Sequence, residues 1–155
     1  MSEELYEDGF HNQVNIDYSS VVIKAMQEKH KDKPGMQFKK MDLREMDFPD
    51  QVFNAVLDKA TLDSILCAEG ALPLASKCLG EISRVLSSNG VFACVSHGHP
   101  NTRLNVLDRA EYGWTVSVHN VPKPMLKLMK DHIITEGTGE GEERVFHYVY
   151  ICVKK

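Results

Sequence analysis

The chain has 155 residues, of which 43% are hydrophobic, and its 22 acidic and 18 basic residues give a formal net charge of −4. A chain of this length can bury one hydrophobic core, so we expect a single domain, and its acidic balance argues against a dedicated nucleic-acid surface, which normally carries a basic excess. No apolar run approaches the roughly 20 residues that span a bilayer, so the composition predicts a soluble protein with no membrane partner.

The first part of the chain is predicted to form two helix–strand pairs. Their elements are Ser2 to Asp8, Val14 to Asp17, Ser19 to His30 and Met36 to Met41. Ser2 is the expected N-cap of the first helix, and Gly9 is expected to follow its end. The second helix carries Val22, Ile23 and Met26 on its expected inner face.

The rest of the chain continues this alternation after a turn at Phe48-Pro49-Asp50. Strands are predicted for Val52 to Asp58, Val91 to Ser96, Trp114 to Val121 and Val145 to Val153, and helices for Ala71 to Leu86, Asn101 to Glu111 and Pro124 to Asp131. The strand from Val52 is of the largely buried type. The long helix is expected to stop at Ser87 to Gly90, and the Gly- and Glu-rich segment from Glu136 to Glu143 predicts a loop. The apolar face of the long helix consists of Leu72, Leu79, Ile82, Val85 and Leu86.

Strands that alternate with helices and then close with two strands predict an α/β, doubly wound, Rossmann-like sheet. We expect it to be mostly parallel, with an antiparallel C-terminal edge. Ligands of such sheets bind at the carboxyl ends of the strands. An aspartate stands at three of these predicted ends, namely Asp17, Asp42 and Asp58.

The residues at these strand ends form a candidate nucleoside clamp. Asp17 would bind the ribose hydroxyls while Tyr18 packs on the sugar or the adenine. Asp42, together with the backbone of Leu43, would recognise the adenine edge. The Asp58-Lys59 pair would face the reactive half of the ligand. For each acid alone the alternative is a helix N-cap or a loop residue, and it is their joint spacing that favours the clamp.

Three segments of the chain resemble the class I S-adenosylmethionine-dependent methyltransferases. They are Asn15 to Ile23, Met41-Asp42, and Val56 to Asp63 with its Asp-Lys-x-Thr-Leu-Asp sequence. The match is closest to the subgroup that methylates lysines of the translation elongation factor delivering aminoacyl-tRNA. Glu81 to Leu86 with Gly90, and His147 to Val153, fit the same group, so the resemblance covers almost the whole chain.

The resemblance implies S-adenosyl-L-methionine as the cofactor and a protein side chain, most simply a lysine, as the methyl acceptor. A translation elongation factor is the implied partner. Asp17 and Tyr18 are then expected to contact the ribose and adenine. Asp42 and Leu43 are expected to contact the adenine, and Lys59 the cofactor.

The resemblance also places Asp58, Thr61 and Asp63 near the methyl donor or the substrate entrance. Either carboxylate could accept the proton that a substrate lysine must lose, although capping is an equal alternative for Asp63. Four side chains are candidates for lining a substrate-lysine channel: His97, His99, Tyr112 and Trp114. His97-x-His99 could instead bind a metal, but without a third ligand in view we expect no metal site.

The chain departs from the family pattern at its beginning. Family members start with a strand that ends in a glycine-rich turn, and neither precedes the helix at Ser2. The resemblance therefore implies a single methyltransferase-type domain over residues 1–155, truncated at the N-terminus and lacking its first, central strand. The edges of the strands ending at Asp17 and Asp58 would be open, so we expect these strands to pair directly or to recruit another chain, with self-association as one outcome.

Two other functions remain open on the sequence alone. An acid after the second strand also serves nicotinamide cofactors, so an NAD-dependent oxidoreductase is one alternative. A methyltransferase-like scaffold that no longer binds its cofactor is the other, because the missing glycine-rich turn would weaken or abolish cofactor binding.

The cysteines and the N-terminal residues indicate the cellular location of the protein. Cys67, Cys78, Cys94 and Cys152 form no Cys-x-x-Cys pair, which favours reduced thiols over a disulfide framework or a zinc site. The acidic N-terminus matches neither a signal peptide nor a transit peptide. We therefore expect a cytoplasmic protein.

Overall fold

The computed structural model describes residues 1–123 and 146–155, which form an α/β protein with two compact units. The first unit comprises residues 1–47, and the second begins at Phe48. The predicted helical piece Pro124 to Asp131 and the predicted loop Glu136 to Glu143 lie outside the described residues. Within the described residues, none of the helices is long and apolar enough to cross a bilayer.

The first unit contains two parallel strands and two helices. Its elements are α1 (Ser2–Glu7), β1 (Gln13–Asp17), α2 (Ser20–Lys29) and β2 (Met36–Lys40). The register runs from Gln13 opposite Met36 to Asp17 opposite Lys40, so both strands end at the same edge. The predicted order of elements is confirmed for this unit.

The helices of the first unit differ from expectation in their details. Helix α2 begins where predicted because the Ser19 Oγ accepts a hydrogen bond from the Val22 backbone N–H at 3.4 Å. The N-cap of α1 is Met1, whereas the predicted cap Ser2 already lies inside the helix. The inner face of α2 is narrower than predicted, since Ile23 is 6% exposed but Val22 is 43% exposed.

The second unit is built on a four-stranded mixed sheet. Its elements are β3 (Phe53–Lys59), α3 (Thr61–Leu66), α4 (Ala71–Val85), β4 (Leu86–Ser96), α5 (Pro100–Leu107), a 3₁₀ turn (Ala110–Tyr112), β5 (Trp114–Pro122) and β6 (Phe146–Lys154). The strand order is β3-β4-β6-β5. Strands β3 and β4 are parallel, and β6 runs antiparallel to both β4 and β5. Together with the parallel β1–β2 pair, this confirms the predicted α/β class with an antiparallel C-terminal edge.

One face of the four-stranded sheet forms the core of the second unit. Successive side chains of a strand point to opposite faces. The buried sheet residues include Phe92, Cys94, Tyr148, Tyr150 and Cys152, and the buried residues of α4 include Cys78, Leu79, Ile82 and Val85. On the opposite face Val95 and Val149 are half-buried, and Leu57 is 49% exposed. Burial is therefore more complete on the first face than on the second.

Strand β3 is not the largely buried strand that its sequence predicts. Of its residues only Asp58 is buried, because among residues 1–123 and 146–155 strand β3 lies at the edge of the four-stranded sheet and has a neighbouring strand on one side only. Strand β1 is likewise an edge strand of its own sheet. The predicted direct pairing of β1 with β3 does not occur among the described residues, so recruitment of another chain is the remaining expectation for these edges.

Helix α4 departs from its prediction at both ends. Leu72 is 56% exposed and does not belong to the apolar face. The expected stop at Ser87 to Gly90 is instead part of β4, since α4 ends at Val85 and Leu86 is already extended, with φ −75° and ψ 132°. The irregularity of this segment falls on Asn89, whose φ is 62°.

Candidate functional site

Asp17 and Tyr18 lie where β1 ends and α2 begins. The Oδ1 atom of Asp17 accepts a hydrogen bond from the Ser19 backbone N–H at 2.7 Å, which orients the carboxylate within the turn. The Asp17 carbonyl accepts the Met41 N–H at 3.0 Å, so Asp42 follows directly beside this strand end. The Tyr18 side chain is 82% exposed, so its ring is open to contact with a planar ligand.

Asp42 is held by Arg44, which the sequence analysis did not identify. The Arg44 Nε donates to both carboxylate oxygens at 3.0 Å, and its Nη2 donates to Oδ2 at 2.6 Å. The Arg44 backbone N–H also donates to Oδ1 at 2.8 Å. These contacts use the lone-pair positions of the carboxylate, so an adenine amino group can reach Asp42 only if the Arg44 side chain moves. That side chain is 52% exposed, which leaves room for the movement.

Asp58 caps helix α3. Its Oδ1 accepts the Thr61 backbone N–H at 2.9 Å, and its Oδ2 accepts the Leu62 N–H at 3.0 Å. Such N–H groups of a first helical turn have no partner within the helix. The Cys94 thiol also donates to Oδ2 at 3.5 Å, and burial together with the nearby Asp58 charge raises the pKa of this thiol. The structure thus gives Asp58 the capping role that was the alternative for strand-end acids, and its role near a methyl donor stays a prediction.

Asp63 connects α3 to the end of β4 and to α5. Its Oδ1 accepts hydrogen bonds from the Ser96 hydroxyl and from Arg103 Nη2, the latter at 2.9 Å. Its Oδ2 accepts the His97 backbone N–H at 2.9 Å. Burial alone would raise the pKa of the Asp63 carboxyl, but the hydrogen bonds from Ser96, His97 and Arg103 outweigh it and hold this pKa below its ordinary value. A carboxylate with a lowered pKa is a weak proton acceptor.

The turn after β4 is held in place by this same cluster. The Gly98 N–H donates to the Ser96 Oγ at 2.9 Å, and the Tyr150 hydroxyl donates to the Gly98 carbonyl at 2.6 Å. A Cβ atom on Gly98 would lie 2.2 Å from the Arg103 Cζ, so only glycine lets the guanidinium approach this closely. The backbone that carries His97 and His99 is therefore fixed from several sides.

The four residues predicted to line a substrate-lysine channel do not lie at one surface. Tyr112 and Trp114 are 3% and 4% exposed and belong to the core, where Trp114 Nε1 donates to the Leu107 carbonyl at 2.8 Å. The prediction that these two aromatic rings line a substrate channel is wrong, because their rings are buried in the core. His97 is exposed and His99 half-buried. Residues 1–123 and 146–155 contain no cluster of three or more side chains suited to a metal ion.

The predicted site residues fall into two groups, one in each unit. Asp17, Tyr18, Asp42 and Leu43 lie at the carboxyl-terminal edge of the β1–β2 sheet, and Asp58, Lys59 and Asp63 lie at the end of β3 and the start of α3. Neighbouring strands lie about 4.8 Å apart, so the first group comes from adjacent strand ends as predicted.

Three polar residues of the site escaped the sequence analysis, namely Arg44, Ser96 and Arg103. The position of Arg44, two residues after Asp42 in a turn, was a signal that could have been used. Arg103 lies 40 residues from the carboxylate of Asp63 that it contacts, and no local pattern joins the two.

The fold and the residues at its strand ends define the class of protein to which this chain belongs. Parallel strands that end in acids, beside an open aromatic ring, are typical of nucleoside-binding α/β proteins. The comparison with known families is more specific, since the family described as a methyltransferase domain matches residues 1–142. The chain belongs to this methyltransferase domain family, which confirms the class that its motifs resemble.

Curated relatives carry the same assignment. The chain is 44% identical over 126 residues to the eEF1A lysine and N-terminal methyltransferase of Xenopus laevis, covering 78% of this chain and 18% of that protein. The human protein of the same name is 41% identical over 125 residues, with the same coverage of 78% and 18%. EEF1A lysine methyltransferase 4 of Mus musculus is 33% identical over 124 residues, covering 75% and 49%. The chain thus spans about a fifth of the length of the first two relatives.

Solved structures agree on the fold. A SAM-dependent methyltransferase from Methanosarcina mazei aligns with a TM-score of 0.66 at 15% identity, covering 99% of this chain and 86% of that one. The cyclase SpnF aligns with a TM-score of 0.68 at 13% identity, covering 99% and 70%. Because a cyclase shares the architecture, these likenesses establish the fold and leave the reaction to the site.

Proposed function

We propose that this chain is part of an S-adenosylmethionine-dependent methyltransferase that methylates a lysine of a protein substrate, with a translation elongation factor as that substrate. The observation that carries the proposal is the family match over residues 1–142, together with relatives named for methylation of eEF1A. The name of those relatives covers lysine and N-terminal methylation, so the acceptor they share is an amine. The relatives reported above are named methyltransferases, which favours this function over a nicotinamide-dependent oxidoreductase.

The residues of the first unit fit the nucleoside part of the cofactor. The half-buried Asp17 carboxylate is already oriented by Ser19, and each of its oxygens has more than one lone pair for ribose hydroxyls. Tyr18 offers an open ring for the adenine face. Asp42 and Leu43 follow on the adjacent strand end, where Asp42 becomes available once Arg44 turns outward. S-adenosylmethionine, when bound, supplies a methyl group on a positively charged sulfur, which is a good leaving group.

In the second unit, neither candidate carboxylate is free to accept the proton of the substrate amine. Asp58 is occupied by the N-terminus of α3, and Asp63 by Ser96, His97 and Arg103. These contacts favour loss of the amine proton to water before the reaction over its transfer to either carboxylate. Alignment of the amine with the methyl group and exclusion of water would then supply most of the rate enhancement.

Calorimetric titration with S-adenosylhomocysteine tests cofactor binding, and transfer of a labelled methyl group to purified eEF1A tests the activity. Asp17→Asn should weaken the binding about tenfold or more, since a hydrogen bond to a charged group contributes roughly 1.5–3 kcal/mol. Asp32→Asn, which alters an exposed acid of the same unit, is the control and should change nothing. Equal affinities for both variants would contradict the assigned ribose contact.

The cofactor-free scaffold is the second candidate, and the hold of Arg44 on Asp42 is the observation in its favour. Absence of any binding heat with the unaltered chain, combined with capture of eEF1A by that chain, would support the scaffold over the enzyme. Both measurements use the same preparation, so the two functions separate directly.

The cytoplasm remains the proposed location. All four cysteines are free thiols, and burial raises the pKa of Cys152 to about 12. Free thiols are typical of reducing compartments. A fluorescent fusion of the full-length protein should be diffuse in the cytoplasm, and an organellar pattern would contradict the proposal.

A further inference from the structure

A row of four basic or imidazole side chains crosses one end of the four-stranded sheet. Lys59 ends β3, His97 follows β4, His147 lies near the start of β6, and Lys123 follows β5. The strand order β3-β4-β6-β5 therefore takes one residue of the row from each strand in turn. Below, these four residues are called the basic row.

The pairing register puts the basic row on one face of the sheet. Lys59 pairs with Val95, and Val95 pairs with Val149. Directly paired residues share a face, and so do residues two positions apart in a strand. His97 is two residues beyond Val95 and His147 two residues before Val149, so both belong to that face, and their rings lie 4.8 Å apart.

Lys123 joins the row by the same argument. Val121 pairs with His147, and Lys123 lies two residues beyond Val121. Lys59 and His97 are exposed, and His147 and Lys123 are half-buried. The pKa of His147 is lowered by its burial and then by the positive potential of His97, Lys123 and Lys59, in agreement with their placement on one face.

The positive charge of the basic row is not neutralised within the described residues. Lys59 and Lys123 form no ion pair there, whereas Lys29, Lys31 and Lys33 of the first unit are all paired with glutamates.

Two described acids on the same strand end and adjoining helix, Asp58 and Asp63, have other partners. Asp58 caps α3, and Asp63 is bound to Arg103 and to the His97 backbone. On β5, His119 shares the face of the row and has the Ser117 hydroxyl 3.4 Å from its Nε2 atom. Of the groups named here from residues 1–123 and 146–155, those near the two histidines of the row are basic or neutral, apart from these occupied carboxylates.

We propose that the basic row docks an acidic, extended segment of a protein substrate. The inference rests on the proposed function in calling the partner a substrate. The row crosses three strand spacings of about 4.8 Å and shifts by four residues along the strands, so it is about 20 Å long. An extended segment of about six or seven residues with alternating acids would span it. Leu57 and Val121 border the row at 49% and 45% exposure and would contact the intervening side chains. The net charge of −4 makes a protein segment a better fit than nucleic acid.

Fluorescence anisotropy of a labelled peptide that alternates glutamate with alanine tests this docking, without any cofactor present. The matched peptide has glutamine in place of glutamate and should not bind. Lowering the pH from about 7.5 to about 5.5 should tighten binding of the acidic peptide, because His147, whose pKa is lowered in the free chain, takes up a proton beside the peptide's carboxylates. Added salt should weaken the binding. His147→Gln should remove most of this dependence on pH.

Charge reversal tests the location of the site. Lys123→Glu and Lys59→Glu should each weaken peptide binding about tenfold, whereas Lys77→Glu, which makes the same charge change on the exposed face of α4, should have little effect. Equal binding of the glutamine peptide, an equal effect of Lys77→Glu, or tighter binding of an oligonucleotide would each overturn the proposal. Failure of methyl transfer would leave this binding result intact, so the two proposals fail separately.

Discussion

At the scale of single residues, the ion pair between Asp63 and Arg103 shows how a polar cluster can be held inside a small unit. The two side chains are 15% and 16% exposed, so both charges have lost most of their water. Their attraction offsets this desolvation only because Ser96 and the His97 N–H supply further hydrogen bonds. The cluster fixes the turn that presents His97 to the basic row, which links local electrostatics to the proposed docking surface.

The lowered pKa of Asp63 predicts a dependence of stability on pH. A carboxyl whose folded pKa lies below its unfolded value of about 3.9 stabilises the fold above that value, and the stabilisation is lost as the pH falls through the folded pKa. The urea midpoint of the unaltered chain should therefore fall between about pH 5 and pH 3. In Asp63→Asn the fall should be shallower, with a stability at neutral pH lower by about 1–3 kcal/mol.

Glu69→Gln is the control for this experiment because Glu69 is an exposed acid of the same unit. Its pH profile should match that of the unaltered chain. If Asp63→Asn retained the full acid-induced fall, the carboxylate of Asp63 would not be the group responsible.

At the scale of elements, the start of the β1–β2 pair depends on Gly35. Its φ is 85°, and its carbonyl accepts the Gln13 N–H at 2.9 Å, which aligns the two strands. A Cβ atom at this position would lie 2.6 Å from the His11 carbonyl oxygen, which belongs to the backbone and cannot rotate away. Gly9 also has a positive φ, of 100°, but has open space around its Cβ position.

Alanine substitutions at these two glycines distinguish the stability cost of backbone strain from the cost of steric overlap. Gly9→Ala should cost about 1–2 kcal/mol, because only the left-handed conformation is penalised. Gly35→Ala should cost about 1–3 kcal/mol more, because strands β1 and β2 must also shift apart. Urea unfolding followed by circular dichroism measures both, and equal losses would mean that the contact with His11 relaxes without cost.

At the scale of the whole molecule, the open edges of β1 and β3 stand out. Neither strand has a second strand partner among the described residues, and unpaired strand edges are templates for pairing with another chain. On β3, the exposed Leu57 adds an apolar side chain at such an edge. We therefore expect the chain to self-associate as its concentration rises.

Leu57→Lys should reduce this self-association, because a charge on an edge strand opposes pairing with another strand. Leu72→Lys is the matched control, since Leu72 is also an exposed leucine, at 56%, but lies on helix α4. Sedimentation velocity over a wide range of concentrations measures the effect. A monomeric unaltered chain, or equal effects of both substitutions, would contradict the role of the β3 edge.

The sequence by itself determined most kinds of elements and their order, because hydrophobic periodicity, caps and breakers act over a few residues. The short helix α3 (Thr61–Leu66) was not predicted. Asp17, Tyr18 and Asp42 could be placed at adjacent strand ends for the same reason, since parallel strands joined by a helix end at one edge. The family resemblance needed only short motifs, such as the segment that ends at Asp63.

Only the tertiary structure decided which faces are buried and which charges meet. Leu72 is apolar yet exposed, and β3 has a largely apolar sequence of which only Asp58 is buried. The reason is that burial depends on neighbours that are distant in sequence. Arg103 reaches Asp63 across 40 residues, and the basic row combines four strands whose order no local pattern encodes. Long-range contacts and sheet order are set by packing of the whole chain, which is why they were accessible only from the fold.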